Sequence, residues 1–304
     1  MENTYHIPVL LKESINALEI SKDGCYVDVT FGGGGHSQYI LSHLSSEGRL
    51  YSFDQDQDAW KNAQKLSETY HQFHLIKANF RFLEQELKKL GVNGIDGILA
   101  DLGVSSYQFD TPERGFSFRF DAELDMRMNR EQDKTAQTII NEYSEKDLHK
   151  IFGMYGEIKN AKTLAQHIVV GRKKKAILTV QDLKDAIESC IPKKETNKYL
   201  AQVFQALRIE VNEELVALEE MLLQTAKVLK KGGLLVVISY HSLEDRMVKN
   251  YLQKGKFFGE VEKDFYGNPI KPFQILEKLI VPSEEEIARN PRARSAKMRV
   301  AKKI

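Results

Sequence analysis

The sequence predicts an α/β protein, a doubly wound and mostly parallel sheet interrupted by an inserted helical subdomain. Three observations carry that reading. A short run of β-formers, Tyr26, Val27 and Val29, leads into consecutive glycines at 32–35 and then into Tyr39, Ile40 and Leu44 at helical spacing. Strand-like and helix-like segments keep alternating to about residue 106. Such alternation argues parallel pairing through right-handed crossovers. The alternation then stops for more than a hundred residues, until an apolar strand at 233–239 resumes it.

Leu11, Ile15 and Leu18 predict a short helix ahead of the first strand at 26–30. A helix over about 37–45 and a second strand at 50–53 follow. Ala59, Ala63 and Leu66 line a helix over 58–69. The third strand, 73–78, ends at Asn79 and Phe80, and Leu83, Leu87 and Leu90 mark the next amphipathic helix. The fourth strand, 95–100, ends in Asp101-Leu-Gly-Val-Ser-Ser106.

Residues 107–129 read as loop, with arginine and phenylalanine interleaved over 111–120. A loop this long is usually functional or disordered. From about 144 to 198 the pattern is of short helices. Leu148, Ile151 and Phe152 mark one, and Ala161, Leu164, Ala165, Ile168 and Val169 a second. Thr179 caps a third, with Leu183, Ile187 and Cys190 inside it. Residues 107–199 are therefore assigned to an inserted loop and helical subdomain, and 1–106 with 200–304 to the sheet domain. Val203, Phe204, Leu207 and Val211, then Leu215, Leu218, Leu222, Ala226 and Leu229, mark two helices returning the chain to the sheet. Ser242 is expected to cap the helix after the fifth strand. Strands at about 273–281 and 296–301, around a short acidic helix, predict a closing antiparallel pair.

Composition narrows the function. The chain has 304 residues and only two cysteines, Cys25 and Cys190, without metal-ligand spacing. Neither a disulfide framework nor a metal site is expected, which points to a reducing cytoplasm. No secretory signal or membrane-length apolar run is present in the sequence. The net charge of +1 hides local runs. Seven basic residues and no acid lie between Arg289 and Lys303, and Arg172–Lys175 form a second run. Such runs suit phosphate contact or a solvated face equally well.

The glycine turn is the candidate ligand site. Four glycines neither continue a strand nor seed a helix, but they let a ligand approach bare backbone. Neither the dinucleotide spacing G-x-G-x-x-G nor the phosphate-loop spacing fits these residues. The second strand ends on Asp54, roughly 20 residues past the glycines, where an acid takes the ribose hydroxyls of an adenosine-type cofactor. A glycine turn without a phosphate cradle, followed by such an acid, fits S-adenosyl-L-methionine better than NAD, which stays open on these residues alone. So does the plain alternative of a tight strand–helix turn. Gly34, Asp54, Phe80 and Asp101 all fall at strand carboxyl ends, where open α/β sheets bind ligands. Phe80 either packs on an adenine or belongs to the core.

With these residues in view, the chain closely resembles the bacterial 16S ribosomal RNA cytosine N(4)-methyltransferases, the RsmH (MraW) family. The resemblance rests on His6-Ile-Pro-Val-Leu-Leu, Thr30-Phe-Gly-Gly-Gly-Gly-His-Ser37, Asp101-Leu-Gly-Val-Ser-Ser106 and Glu113-Arg-Gly-Phe-Ser-Phe118. It extends through Leu124-Asp-Met-Arg-Met128, Phe204-Gln-Ala-Leu-Arg-Ile209, His241-Ser-Leu-Glu-Asp-Arg246 and Asn290-Pro-Arg-Ala-Arg294. Gly33 departs from the family, where a bulkier residue is expected in many members.

The resemblance implies a Rossmann-like class I SAM-dependent methyltransferase sheet. It also implies methyl transfer to the exocyclic amine of a cytosine in the decoding region of 16S rRNA in the small ribosomal subunit. Cofactor contacts carried onto this chain are Gly34, Gly35, His36, Asp54, Phe80, Asp101 and Gln108. Asp101 is the candidate catalytic acceptor for the cytosine amine, although Leu-Gly-Val follows it rather than Pro-Pro-aromatic. Arg114, Phe116, Phe118 and Arg127 are candidates for gripping a splayed-out base, with packing of the inserted helices as the plain alternative. His241 is a candidate for the cytosine pocket, against a purely structural role, and Arg292 and Arg294 for phosphates.

Overall fold

The computed structural model describes residues 8–304, so His6 and Ile7 of the opening motif lie outside the described residues. The chain divides into two compact units, one holding the described residues up to Gly103 together with Leu215–Ile304, the other Val104–Glu214.

The first unit opens with α1 (Leu11–Leu18), which buries Ser14, Ile15 and Leu18. Then come β1 (Cys25–Asp28), α2 (Gly35–Leu41), β2 (Arg49–Phe53), α3 (Gln57–Thr69), β3 (Phe73–Ile76), α4 (Leu83–Lys89) and β4 (Ile95–Asp101). The second unit holds α5 (Ser106–Asp110), α6 (Ala136–Glu142), α7 (Glu145–Met154), α8 (Ala161–Lys174), α9 (Val180–Ile187) and α10 (Thr196–Asn212). The first unit resumes through α11 (Glu214–Val228), β5 (Leu229–Ser239), α12 (Ser242–Lys254), β6 (Phe273–Ile280), α13 (Glu284–Arg289) and β7 (Lys297–Lys303).

The strands form one seven-stranded sheet in the order β3-β2-β1-β4-β5-β7-β6. β1 to β5 pair in parallel, and β7 runs antiparallel to both β5 and β6. Successive β5 side chains feed opposite cores. Leu235 and Val237 join Leu218, Leu222, Val248 and Leu252 on one face. Val236 and Ile238 join Ile15, Leu18, Ile40 and Ala63 on the other. A strand covered on both faces reads as a continuous apolar run, which is why 234–238 stood out in the sequence.

In the second unit Leu148, Phe152, Leu164, Ile168, Leu183, Val203, Phe204 and Leu207 share one core. The unit extends past the expected boundary at 199, because α10 packs its apolar face into this core rather than beginning the return to the sheet. α6 was not expected. Thr135 caps it through the Thr138 N–H at 3.0 Å, and Ala136, Ile139 and Ile140 are buried. The stretch expected as loop contains α5 and a 3-10 turn at Pro112–Arg114. Thr179 caps α9 as expected, but Cys190 sits in the following 3-10 turn, Glu188–Cys190. Among the described residues no helix is long and apolar enough to cross a membrane.

Gly115 fixes the return of the 3-10 turn. Its φ is +70°, and a Cβ there would stand 2.5 Å from the Glu123 carbonyl oxygen and 2.8 Å from the Asp125 nitrogen. Both obstacles are backbone, so neither swings away. Gly115→Ala therefore combines a left-handed conformation with overpacking. It is expected to lower unfolding free energy by about 2–4 kcal/mol in chemical denaturation.

Candidate functional site

The site is built at the carboxyl ends of β1, β2 and β4, which lie side by side in the sheet. β1 ends on Asp28, fully buried in an otherwise apolar strand. Its Oδ2 accepts from Ser37 Oγ at 2.6 Å, and its Oδ1 accepts from the Thr30 N–H at 3.0 Å and Thr30 Oγ1 at 3.3 Å. Ser37 Oγ also meets Ser52 Oγ of β2 at 2.8 Å. The Asp101 N–H at the end of β4 donates to Thr30 Oγ1 at 2.7 Å. One carboxylate thus ties the turn, the first turn of α2 and the neighbouring strands together. Burial raises its pKa, against the lowering effect of these hydrogen bonds.

The glycines do distinct work. Gly34 has φ +82°, and a Cβ there would meet the Phe31 ring at 2.7 Å, so no side chain fits. Gly33 is exposed, and a Cβ there meets nothing within 4 Å. That open space explains why a bulkier residue is compatible with the turn. Gly35 begins α2, with its α-carbon face against the Pro8 ring.

Asp54, half-buried at the end of β2, accepts the Gly32 N–H at 2.8 Å through Oδ2 and the Asp56 N–H at 2.8 Å through Oδ1. Burial, with Asp56 and Asp28 nearby, pushes its carboxyl up to about 7 despite those bonds. Trp60 Nε1 donates to the Asp54 carbonyl at 3.1 Å, and Lys77 Nζ lies 4.5 Å from the centre of the Trp60 ring. Phe80 begins a 3-10 turn after β3 and packs, partly buried, against the sheet core.

Asp101 accepts a 2.7 Å hydrogen bond from Tyr240 Oη through Oδ1. Burial, with Asp28 and Glu244 nearby, pushes its carboxyl up to about 7. His36 Nδ1 lies 3.7 Å from Asp101 Oδ2. Burial lowers the His36 pKa to about 4, so the ring is neutral at neutral pH and this contact is no ion pair. With Nε2 3.2 Å from the Val9 carbonyl, the ring donates there, and its Nδ1 lone pair faces the carboxylate.

The structure brings Gly34, Gly35, His36, Asp54 and Asp101 to one end of the sheet, and Phe80 follows β3 at that end. It also places there Asp28, Thr30, Ser37 and Tyr240, which the sequence reading did not single out. Asp28 had a signal, a charged residue inside an apolar strand directly before the glycines. Tyr240 had none, since its role depends on the β4–β5 pairing.

Other candidates are placed differently. His241 rather than Ser242 is the N-cap of α12. Its backbone is extended, its Nδ1 takes the Glu244 N–H at 3.4 Å, and Ser242 is already helical. Gln108 belongs to the second unit, where its Oε1 accepts from the Ser105 N–H at 2.9 Å in a capping box. Arg114, expected to meet substrate, is 1% exposed, and its Nη2 donates to the Arg127 carbonyl at 2.8 Å. Phe116 is buried in the core of the second unit, and half-buried Phe118 meets Phe204 edge-on. Arg127 is held by both Asp125 oxygens, at 2.8 and 2.9 Å. The two phenylalanines pack within the second unit, while the two arginines donate to carbonyls and to the Asp125 carboxylate of the loop crossing 111–130. Arg292 and Arg294 lie exposed in a 3-10 turn capped by Asn290.

The strand order, with β7 reversed and acids at adjacent strand ends, defines a Rossmann-like class I methyltransferase fold. The chain belongs to the MraW methylase family, whose profile it matches over residues 3–304. A Cytophaga hutchinsonii protein named ribosomal RNA small subunit methyltransferase H is 58% identical over 299 residues, 98% of this chain and 99% of that protein. A Flavobacterium johnsoniae protein of the same name is 55% identical over 300 residues, 99% of this chain and 98% of that one. A solved rRNA methylase from Streptococcus thermophilus aligns over 99% of both chains, with 14% identity and a TM-score of 0.41.

Tyr240 donates to Asp101 and so favours its ionised form. In Tyr240→Phe the Asp101 carboxyl is expected to titrate above 7, an upward shift that carboxyl-detected NMR across pH 5–9 would register.

Proposed function

We propose that the protein transfers a methyl group from S-adenosyl-L-methionine to the N(4) exocyclic amine of a cytosine in the decoding region of 16S rRNA. The small ribosomal subunit is its substrate, and the cytoplasm its place of action. The names of the relatives, which this chain matches along nearly its whole length, support RNA of the small subunit as substrate. The carrying observation is local. Asp101, oriented by Tyr240, stands at a strand end beside further carboxylates, and the charges acting on Asp54 and Asp101 are all negative.

That electrostatic setting fits a cationic ligand. S-adenosyl-L-methionine carries a sulfonium and an ammonium, and carboxylates held near 7 by burial and by neighbouring acids gain from either charge. Asp54 keeps lone pairs for ribose hydroxyls beyond its two backbone donors. Gly33 presents exposed backbone with nothing within 4 Å of where a Cβ would stand.

When bound, the cofactor supplies a methyl already activated by its positive sulfur. The protein's task is the nucleophile, whose lone pair is shared with the cytosine ring. Ionised Asp101 would accept a hydrogen bond from the amine, stabilise positive charge as the nitrogen turns tetrahedral, and take the proton that the methylated nitrogen sheds. Tyr240 fixes the rotamer of that carboxylate. The crevice would have to present the amine in line with the methyl as a near-attack conformer. No covalent enzyme intermediate enters this scheme. We assign RNA recognition to the second unit and phosphate contacts to Arg292 and Arg294.

A small-molecule methyltransferase and a non-catalytic assembly factor are the competing classes. Radiolabelled cofactor with unmethylated small subunits, followed by nucleoside analysis, separates them: label in N(4)-methylcytidine is expected, and its absence rejects the assignment.

Two further outcomes follow from the charges. At pH 7 the Asp54 and Asp101 carboxyls are each about half protonated, and the cation favours their ionised forms. Cofactor binding is thus expected to release up to about one proton, seen as buffer-dependent calorimetric enthalpy, and affinity should fall as pH drops from 8 to 6. Asp54→Ala should abolish that binding. Charge reversal at Arg292 and Arg294 should weaken RNA affinity at least tenfold while sparing cofactor affinity.

A further inference from the structure

The opposite end of the sheet carries a surface that the crevice does not use. β1 to β5 begin there, β7 ends there, and β6 begins there because it runs in the same direction as β5. The six paired β5 residues from Leu234 to Ser239 separate this end from the crevice by roughly 20 Å.

Between Gly255, which closes α12, and Phe273 the chain makes a hairpin-like loop. Lys263 bridges Pro269, the Ile270 N–H donates to the Glu262 carbonyl at 2.8 Å, and the Asp264 N–H donates to the Asn268 carbonyl at 2.9 Å. Asp264 organises the tip. Its Oδ1 accepts from the Tyr266 N–H at 2.9 Å and the Asn268 N–H at 2.8 Å, and its Oδ2 accepts from Asn268 Nδ2 at 3.1 Å. The turn so built holds two aromatic rings outward. Phe265 is 98% exposed and Tyr266 85%, and the rings meet edge-on with centroids 5.7 Å apart.

Lysines surround the base of this loop. Lys303 pairs in register with Phe273 and Lys302 with Gln274, while the Ile304 N–H donates to the Pro272 carbonyl at 3.2 Å. Lys302 also reaches Gly232, where an added Cβ would lie 3.8 Å from Lys302 Cε, and this brings neighbouring Lys231 to the same edge. Lys271 precedes β6 directly. Of the nearby acids, Glu262 pairs with Lys256 at 3.0 Å, Asp96 with Lys230 at 2.8 Å and Asp264 within its own turn, while Glu260 lies exposed on the loop. Among the described residues, Lys231, Lys271, Lys302 and Lys303 have no carboxylate partner.

We propose that this edge is a second RNA-binding surface, where unpaired bases stack on Phe265 and Tyr266 while Lys231, Lys271, Lys302 and Lys303 face phosphates. The proposal rests on the reading that the substrate is small-subunit RNA. Exposed aromatic faces beside uncompensated cations are the chemistry of single-stranded RNA contact. Phe258, 78% exposed, and Ile270, 56% exposed, lie on the same loop, and the lysines beside them favour a phosphate-bearing partner over a protein. Contacts at both ends of the sheet also favour a large folded acceptor over a short oligonucleotide.

The full chain and a Phe265→Ala/Tyr266→Ala variant are compared on three probes: unmethylated small-subunit particles, naked 16S rRNA, and a short RNA hairpin carrying the target cytosine. The variant is expected to lose about 5- to 100-fold in affinity for naked rRNA and to show a raised KM on particles. Its cofactor affinity and its turnover of the short hairpin should match the parent. Lys302→Ala/Lys303→Ala should lower the salt slope of rRNA binding by about 1 to 2. Unchanged rRNA affinity and particle KM in both variants overturn the proposal. A raised particle KM with unchanged naked-rRNA affinity also overturns it, and assigns the edge to a ribosomal protein. If the parent chain transfers no methyl to any probe, the functional reading fails, while the binding arm still decides this surface.

Discussion

The crevice depends on one buried carboxylate. Asp28 sits where an apolar residue would serve the core better, and its burial disfavours the charge it carries. What offsets that cost is its hydrogen bonding to Thr30 and Ser37. Through them the position of Asp101 is set as well, because the Asp101 N–H rests on Thr30 Oγ1. The glycine turn is thus anchored from below by a polar network, while its upper side is left bare. A buried network of this kind rigidifies a site only when each member is satisfied, and the partners of Asp28 come from the turn, from α2 and, through Ser37, from β2.

The same logic explains the electrostatics above it. Burial and the neighbouring acids Asp28, Asp56 and Glu244 raise the carboxyls at the ends of β2 and β4, with no lysine or arginine among the charges acting on them. An arginine placed among them would stabilise the ligand-free fold but would compete with a cationic ligand. The protein keeps its arginines elsewhere. Arg114 and Arg127 are consumed by the backbone and carboxylate of the second unit, and Arg81 pairs with Glu220 at 2.6 Å. Arg292 and Arg294 remain at the surface.

Much of the sheet was legible because its signals are local. An apolar strand, a glycine turn and an amphipathic helix each announce themselves within a dozen residues, and β1 to β5 follow that pattern. The strand-end rule alone brings Gly34, Asp54, Phe80 and Asp101 to one end of the sheet. Less legible were features set by partners distant in sequence. Tyr240 matters because β5 lies beside β4. Arg114 looks like a surface arginine until the carbonyls at 127 and 128 close over it. α10 reads as an amphipathic helix in either unit, and only its packing against Leu148 and Phe152 assigns it. The cap of α12 went to His241 because an imidazole nitrogen accepts a backbone N–H as a hydroxyl does, an option that residue preferences for Ser and Thr obscure.

The interrupted sheet has a bearing on synthesis. β4 ends at Asp101, and its parallel neighbour does not begin until Leu229. A chain emerging from the ribosome therefore carries an unfinished β4 edge while the whole second unit is made. An unpaired apolar strand edge is a template for misassociation. Because the second unit has a core of its own, it can collapse during that interval and leave the N-terminal strands waiting. Completion of the protein is thus deferred to the arrival of its final quarter, and premature termination anywhere before β5 would release an aggregation-prone fragment rather than a weakened enzyme.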